Sequence, residues 1–246
     1  MRLVEARSQR RLARKGIERA RRAFDIAVAA VGLIILAPLM LVIALAVWTE
    51  SGWPVFFSQI RLGQHGRHFR LHKFRKFHQV GSSSGRLMTL PNRAVTLQDD
   101  DRTTRVGRLL ARTKLDELPQ FWNVLTGDMS VVGPRPESLA FAHCFGDSYR
   151  GVLSFRPGIF GPNQVFFRNE WSLYTDVIDP ETFYRDVLFP LKARADLAYF
   201  PHRTMRHDLA WIFRGVSAVL GIGFPRNQEL DLVAAVDLWI RQNAGA

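Results

Sequence analysis

The stretch Ile26-AVAAVGLIILAPLMLVIALAVW-Thr49 runs for 24 residues without a charged side chain. A helix of that length crosses a hydrocarbon core of about 30 Å, so its reading decides between a soluble and a membrane-associated fold. Basic residues precede it, but it lacks a small-residue cleavage site and exceeds a signal-peptide core, so it is expected to stay in the mature protein. Two features bear on its path. Pro38 lies near the middle, where it removes a helical hydrogen bond and favours a kink. Both flanks are also basic, with Arg19, Arg21 and Arg22 before the stretch and Arg61, Arg67, Arg70, Lys73, Arg75 and Lys76 after it. A straight span would send one basic flank outward, against the positive-inside tendency; a helix broken at Pro38 would enter and leave by one face. From the residues alone both paths stay open, because membrane helices tolerate proline and large downstream domains can be translocated whatever their charge.

Residues 1–22 carry nine basic side chains against Glu5 and Glu18. Leu3, Leu12, Ile17 and Ala20 are too sparse for a strong apolar stripe, so the segment reads as a basic helical arm lying on anionic membrane lipid. The whole chain of 246 residues has 34 Lys and Arg against 22 Asp and Glu, a formal charge of +12. Such an excess implies an anionic partner: nucleic acid, an acidic membrane face or a phosphorylated substrate. No nucleic-acid motif accompanies the arm, and no nucleic-acid partner is expected. The lone Cys144 excludes an internal disulfide.

Beyond Trp53-Pro54 the composition changes. Val55-Phe56-Phe57 and His68 to Phe74 read as short strands joined through Gly63-Gln64-His65-Gly66. The alternation Lys73-Phe74-Arg75 puts both cations on one strand face, or protects an exposed edge. Gly81 to Gly85 is a flexible loop; Asp99-Asp100-Asp101 reads as a Mg²⁺ site or, more commonly, a solvated turn. A short helix is expected over 104–111, a strand over 128–132, and helices over 137–146, 180–198, 204–221 and 228–243, with Arg156-Pro157-Gly158 as a break. In 204–221, Leu209, Trp211, Ile212, Phe213, Val216, Val219 and Leu220 make an apolar segment whose first expected use is core packing, with a membrane surface or a homodimer as the other uses. His143, His202 and His207 show no metal-ligand spacing.

The chemistry centres on Leu115-Asp116-Glu117-Leu118-Pro119-Gln120. Proline lacks an N–H, so this pattern suits the start of a helix. With Asp116 as N-cap, both carboxylates lie at the positive end of a helix dipole, which favours their ionised form and a nearby phosphate. Asp116 is then a candidate nucleophile, or simply a cap. Downstream, prolines on both sides of Arg135 in Gly133-Pro134-Arg135-Pro136 restrict the backbone that presents its guanidinium, whose fork of donors suits a phosphate.

Taken together with Phe57 to Gly63, Lys73-Phe74-Arg75, Asp100-Asp101-Arg102, Asn123-Val124-Leu125 and Gly127 to Pro136, these motifs make the chain resemble the bacterial sugar transferases, the monotopic phosphoglycosyl transferases. The resemblance is close over roughly residues 18–165. It implies a membrane-associated α+β fold: a basic arm over 1–22, a re-entrant membrane hairpin over 23–50 broken at Pro38, and a cytoplasmic catalytic domain over 51–246 with a small β-sheet and amphipathic interfacial helices. It also implies transfer of a sugar 1-phosphate from a UDP-sugar to undecaprenyl phosphate, with Mg²⁺, on the cytoplasmic face of the bacterial inner membrane. Asp116 would be the nucleophile that carries a phospho-sugar ester, assisted by Glu117, and both would approach the metal. Lys73, Arg75, Arg102, Arg112, Arg135, Pro136 and Arg156 would bind substrate. Three departures stand out: Ala111 where the family usually has arginine, Lys76-Phe77 after Arg75, and Phe160 and Pro162 in the loop that follows Arg156. The first and the third support the alternative, a non-catalytic membrane scaffold of polysaccharide assembly.

Overall fold

The basic arm and the apolar stretch form one helix, α1 (Arg2–Ser51), which continues through Pro38. The computed structural model describes residues 2–78, 103–168, 170–173, 179–220 and 222, with side chains from residue 16 onward except 171 and 172. Residues 16–51 of α1 are long and apolar enough to cross a membrane. Both ends of the apolar stretch are docked on the same folded body. At the first, Asp25 accepts from Val131 N and Ser130 Oγ, and Ala29 is fully buried. At the second, Ile43 and Val47 pack with Val55, Phe74 and Leu110, and Glu50 accepts from the backbone N–H groups of Arg105 and Val106. Between them Ile34, Ile35, Leu41 and Val42 are 75, 68, 63 and 62% exposed. An apolar patch of that kind on a folded chain marks a membrane or protein contact.

The strands expected around the Gly63–Gly66 turn form an antiparallel hairpin, β1 (Phe56–Leu62) and β2 (His68–Phe74), in register from Phe56↔Phe74 to Leu62↔His68. Its alternation is one-sided: Phe69, Leu71 and Phe74 of β2 are buried, while Phe56 and Ile60 of β1 stay largely exposed. α2 (Arg105–Thr113) starts at Thr104, whose hydroxyl accepts from Gly107 N. A 3₁₀ turn, Leu115–Glu117, leads into α3 (Gln120–Thr126), and Arg22 of α1 donates from both Nη atoms to the Val124 and Leu125 carbonyls at the end of α3. Cations are favoured at that end of a helix.

β3 (Ser130–Val132) pairs in parallel with β4 (Gly158–Phe160), so among the described residues the small sheet is two separate two-stranded sheets. Glycine is required just after β3 and at the start of β4: a Cβ on Gly133 would fall 2.1 Å from Arg156 O, and one on Gly158 2.0 Å from Gly133 N. A 3₁₀ segment Leu139–Phe145 and α4 (Gly146–Tyr149) replace the helix expected over 137–146. After α5 (Pro162–Phe166), the helix expected over 180–198 appears as α6 (Pro180–Phe183), a π turn Tyr184–Leu188 and α7 (Phe189–Tyr199) in direct succession. α8 (Met205–Val219) follows.

On α8 the core expectation holds for Trp211, 3% exposed, and for Ile212 packed beside it. It fails for Leu209, Phe213, Val216 and Leu220, which are 51, 73, 43 and 66% exposed. Their spacing makes a single stripe, which the core leaves uncovered because Trp211 and Gly215 occupy the packed side. The expected loop at 81–85, the Asp99–Asp101 run, Arg102 and the helix at 228–243 lie outside the described residues.

Candidate active site

Four segments converge on one cleft: the hairpin, the Leu115–Glu117 turn, the loop after β3, and the β4–α5 region. Arg61, Leu71, Lys73, Glu117, Gln120, Arg135, Pro136, Gly158 and Gln164 line a narrow cleft that opens to solvent. Lys73 Nζ donates to Glu117 Oε1 at 2.7 Å, and Arg135 Nη2 lies 4.0 Å from the same oxygen. Arg61 donates to Gln59 Oε1. Gln164 braces the floor by donating to the carbonyls of Gly133 and Gly158.

Burial opposes the charge of Glu117, but Lys73, Arg135 and Lys114 outweigh it and hold its carboxyl well below the usual carboxylate range. Burial pushes the Lys114 ammonium down to about 8, although Glu117 pulls the other way. It also lowers Lys73 against the attraction of Glu117 and Asp116. Arg135 resists its own burial through Glu117, Glu170 and Glu137, and its hold on the proton is strengthened. Behind the cleft, Tyr184 donates to Glu137 Oε1 at 2.5 Å, and Lys192 donates to Glu170 Oε2.

Asp116 sits differently. It is 1% exposed, and among the described residues neither carboxylate oxygen accepts a hydrogen bond. Lys76 Nζ stands 3.2 Å from Oδ2, an ion-pair distance outside hydrogen-bond geometry. The N-cap expectation is corrected: Asp116 lies inside the 3₁₀ turn, whose N-cap is Lys114 in the left-handed region at φ 60°, and the residue before α3 is Pro119. Because the turn runs straight into α3, the acidic pair is one turn short of the helix start. Pro119 does occupy a place where no intrahelical N–H is needed.

Of the residues expected to bind substrate, Lys73, Arg135 and Pro136 meet at the cleft. Arg75 is turned away: its Nη2 donates to the carbonyls of Ser51 and Gly52 and to Ser51 Oγ, closing the end of α1. Arg112 is exposed, with its carbonyl accepting from Arg168. Arg156 contributes backbone at the Gly133 approach and is not among the cleft-lining residues. Arg102 lies outside the described residues. Phe160 packs on α8, where a Cβ on Gly215 would fall 2.3 Å from its Cδ1. Sequence reasoning did not single out Arg61, Lys76, Gln120 or Gln164 as site residues. The first three lie inside motifs it quoted or at a departure it noted, whereas Gln164 has no local signal.

Among the described residues no group of three metal-ligating side chains occurs. The Asp116 carboxylate, ion-paired to Lys76 through Oδ2 but without a hydrogen-bond donor among the described residues, nevertheless fits Mg²⁺, which takes one or two carboxylates and completes its shell with water and substrate phosphates.

An acidic pair set among cations thus shares one folded body with an apolar helix of membrane-crossing length. The chain belongs to the bacterial sugar transferase family, whose model matches residues 17–221. It is 38% identical over 212 residues to a UDP-glucose:undecaprenyl-phosphate glucose-1-phosphate transferase of Caulobacter vibrioides, covering 85% of this chain and 73% of that one. It is 31% identical over 207 residues to the exopolysaccharide production protein ExoY of Sinorhizobium fredii, covering 81% and 84%. With a UDP-N-acetylgalactosamine-undecaprenyl-phosphate N-acetylgalactosaminephosphotransferase of Aeromonas hydrophila it shares 42% identity over 151 residues, 59% of this chain. The match spans only 33% of the length of that relative.

Proposed function

We propose that the chain transfers a sugar 1-phosphate from a UDP-sugar to undecaprenyl phosphate, at the cytoplasmic face of the bacterial inner membrane, as the first membrane step of polysaccharide or glycoconjugate synthesis. The observation that carries this reading is the Asp116–Glu117 pair among Lys73, Lys76 and Arg135. A carboxylate meets two phosphates only if their repulsion is offset, and this cluster supplies the positive charge.

An Asp116 oxygen attacks the β-phosphorus; the bond from that phosphorus to the bridging oxygen breaks, and UMP leaves with the bond electrons. An oxygen of undecaprenyl phosphate then attacks the same phosphorus and displaces the Asp116 carboxylate, giving undecaprenyl diphosphate sugar. The covalent stage lets a water-soluble donor and a membrane-bound acceptor use one site in turn. Asp116 and Glu117 would hold Mg²⁺, which supplies further neutralisation of the diphosphate when bound. Arg135 and Lys73 orient the phosphates, and Glu117 keeps those two cations in place.

The re-entrant path of the apolar helix is part of the proposal. Its support is that Asp25 and Glu50, at opposite ends of the uncharged stretch, both bond to the same body. A straight crossing would separate them by about 38 Å along the axis and put the body on both sides of the bilayer. Entry and return through one face, with the bend at Pro38, avoids that. The exposed stripe of Leu209, Phe213, Val216 and Leu220 is a second apolar surface for a membrane or a protein to cover.

The test is to supply purified protein with Mg²⁺, undecaprenyl phosphate and, in turn, UDP-glucose, UDP-galactose and UDP-N-acetylgalactosamine, and to measure UMP. Release with at least one donor is expected. Asp116→Asn should lower the rate by about 10³-fold or more and leave no labelled covalent adduct. No UMP with any donor would overturn the reading in favour of a non-catalytic scaffold, to which the burial of Asp116 lends its one structural support.

A further inference from the structure

The two adjacent carboxylates are held by different cations. Glu117 has Lys73 at 2.7 Å and Arg135 at 4.0 Å, both on the cleft wall. Asp116, nearly without solvent, has Lys76 at 3.2 Å as the cation at ion-pair distance among the described residues. Ala111, in the helix that leads to the pair, brings no charge.

The backbone of Lys76 is fixed where it is needed. Its carbonyl accepts from Thr104 N at 2.9 Å and lies 2.1 Å from the place a Cβ on Gly107 would take. The chain leaving β2 is thereby clamped to the first turn of α2, and any side chain at 107 would drive them apart. The Lys76 stem remains partly solvent-accessible, with 23% side-chain exposure, so its ammonium reaches the buried carboxylate from the rim.

Resting on the phosphoryl-transfer reading, we propose that Lys76 is the dedicated counter-charge of Asp116, a positioning residue that aims the nucleophile and leaves its positive charge beside the phosphoryl oxygens once the aspartyl ester forms. No other described cation is so placed that its loss would strip Asp116 alone while leaving Glu117 paired. In the attack the carboxylate charge is consumed in the new Oδ–phosphorus bond, and the ammonium, keeping its three protons, is freed to face the non-bridging oxygens.

The experiment has two arms on the full chain in detergent. The first is a double-mutant cycle of thermal midpoints with Lys76→Met and Asp116→Asn. Lys76→Met should lower Tm by about 8 °C in the parent, where it strands a buried charge, and by less than about 2 °C in the Asp116→Asn background. Equal shifts in both backgrounds would overturn the pairing. The second arm follows the labelled covalent adduct from a UDP-sugar that the parent accepts. Lys76→Met should slow its formation about 10²-fold, and Lys76→Arg should keep it within about fivefold of the parent. An active parent matched by Lys76→Met would overturn the inference. An inactive parent with an intact thermal cycle would instead fault the reaction assigned to the site and leave the ion pair standing.

Discussion

The two ends of the apolar helix are fastened by the same device at different depths. At Asp25 the carboxylate is 4% exposed and accepts from Val131 N at 2.8 Å and Ser130 Oγ at 2.9 Å, while Arg22 caps α3 one turn earlier. At Glu50, which is partly exposed, the carboxylate accepts from Arg105 N at 2.7 Å and Val106 N at 2.8 Å. The hydrogen bonds are of similar length, but only those of Asp25 would leave their donors buried without a partner if broken. Each end also leads to a different half of the cleft. The Asp25 end holds β3, which runs into Arg135; the Glu50 end holds α2, which runs into Asp116. Nucleophile and phosphate fork are therefore referred to one membrane segment by separate routes.

Breaking the deep end should have the largest effect. Asp25→Ala strands the Val131 N–H and the Ser130 hydroxyl and is expected to cost about 3 kcal/mol, read by denaturant or thermal unfolding. Asp25→Asn keeps an acceptor and should lose less than half as much; equal losses would mean that burial is not what distinguishes the ends.

A buried carboxyl on neither route sharpens the contrast. Burial, and then Glu137, push the Asp196 carboxyl well above its ordinary value. Its stabilising contribution is therefore complete below about pH 4 and is lost as pH rises through the raised value. Asp196→Asn should flatten the fall of Tm from pH 5 to pH 8 and match or exceed the parent at pH 8. A parent that gains stability over that range relative to the variant would contradict the sign. The smallest effect is expected at the shallow end: Glu50→Ala removes the acceptor for the first N–H groups of α2 and should cost about 1 kcal/mol. It should nevertheless slow adduct formation more than its stability loss suggests, because α2 sets the Asp116 turn.

The elements with a strong local signal were legible. The uncharged run, the hairpin around Gly63–Gly66 and the short helix after Thr104 lie close to where periodicity and turn residues put them. What failed needed tertiary information. Alternation put Lys73 and Arg75 on one face, but β2 ends at Phe74, and Arg75 bends back to the end of α1. Cap chemistry suits an aspartate anywhere in a first turn, so it could not see that a left-handed Lys114 opens a 3₁₀ turn ahead of α3. On α8 the apolar spacing was correct, yet spacing cannot say which side has a partner. Arg61 and Gln164 join the cleft through contacts between segments far apart in the chain, which no local pattern encodes.

The seating of Phe160 on Gly215 also restricts how this sequence can drift. A methyl at 215 has no room while the ring is there, and shrinking the ring first would leave a void under α8. Neither position has a tolerable first step alone, so the pair is expected to change together or not at all. The departure seen at Phe160 thus belongs with a residue about fifty positions later, and lineages that carry one should carry the other.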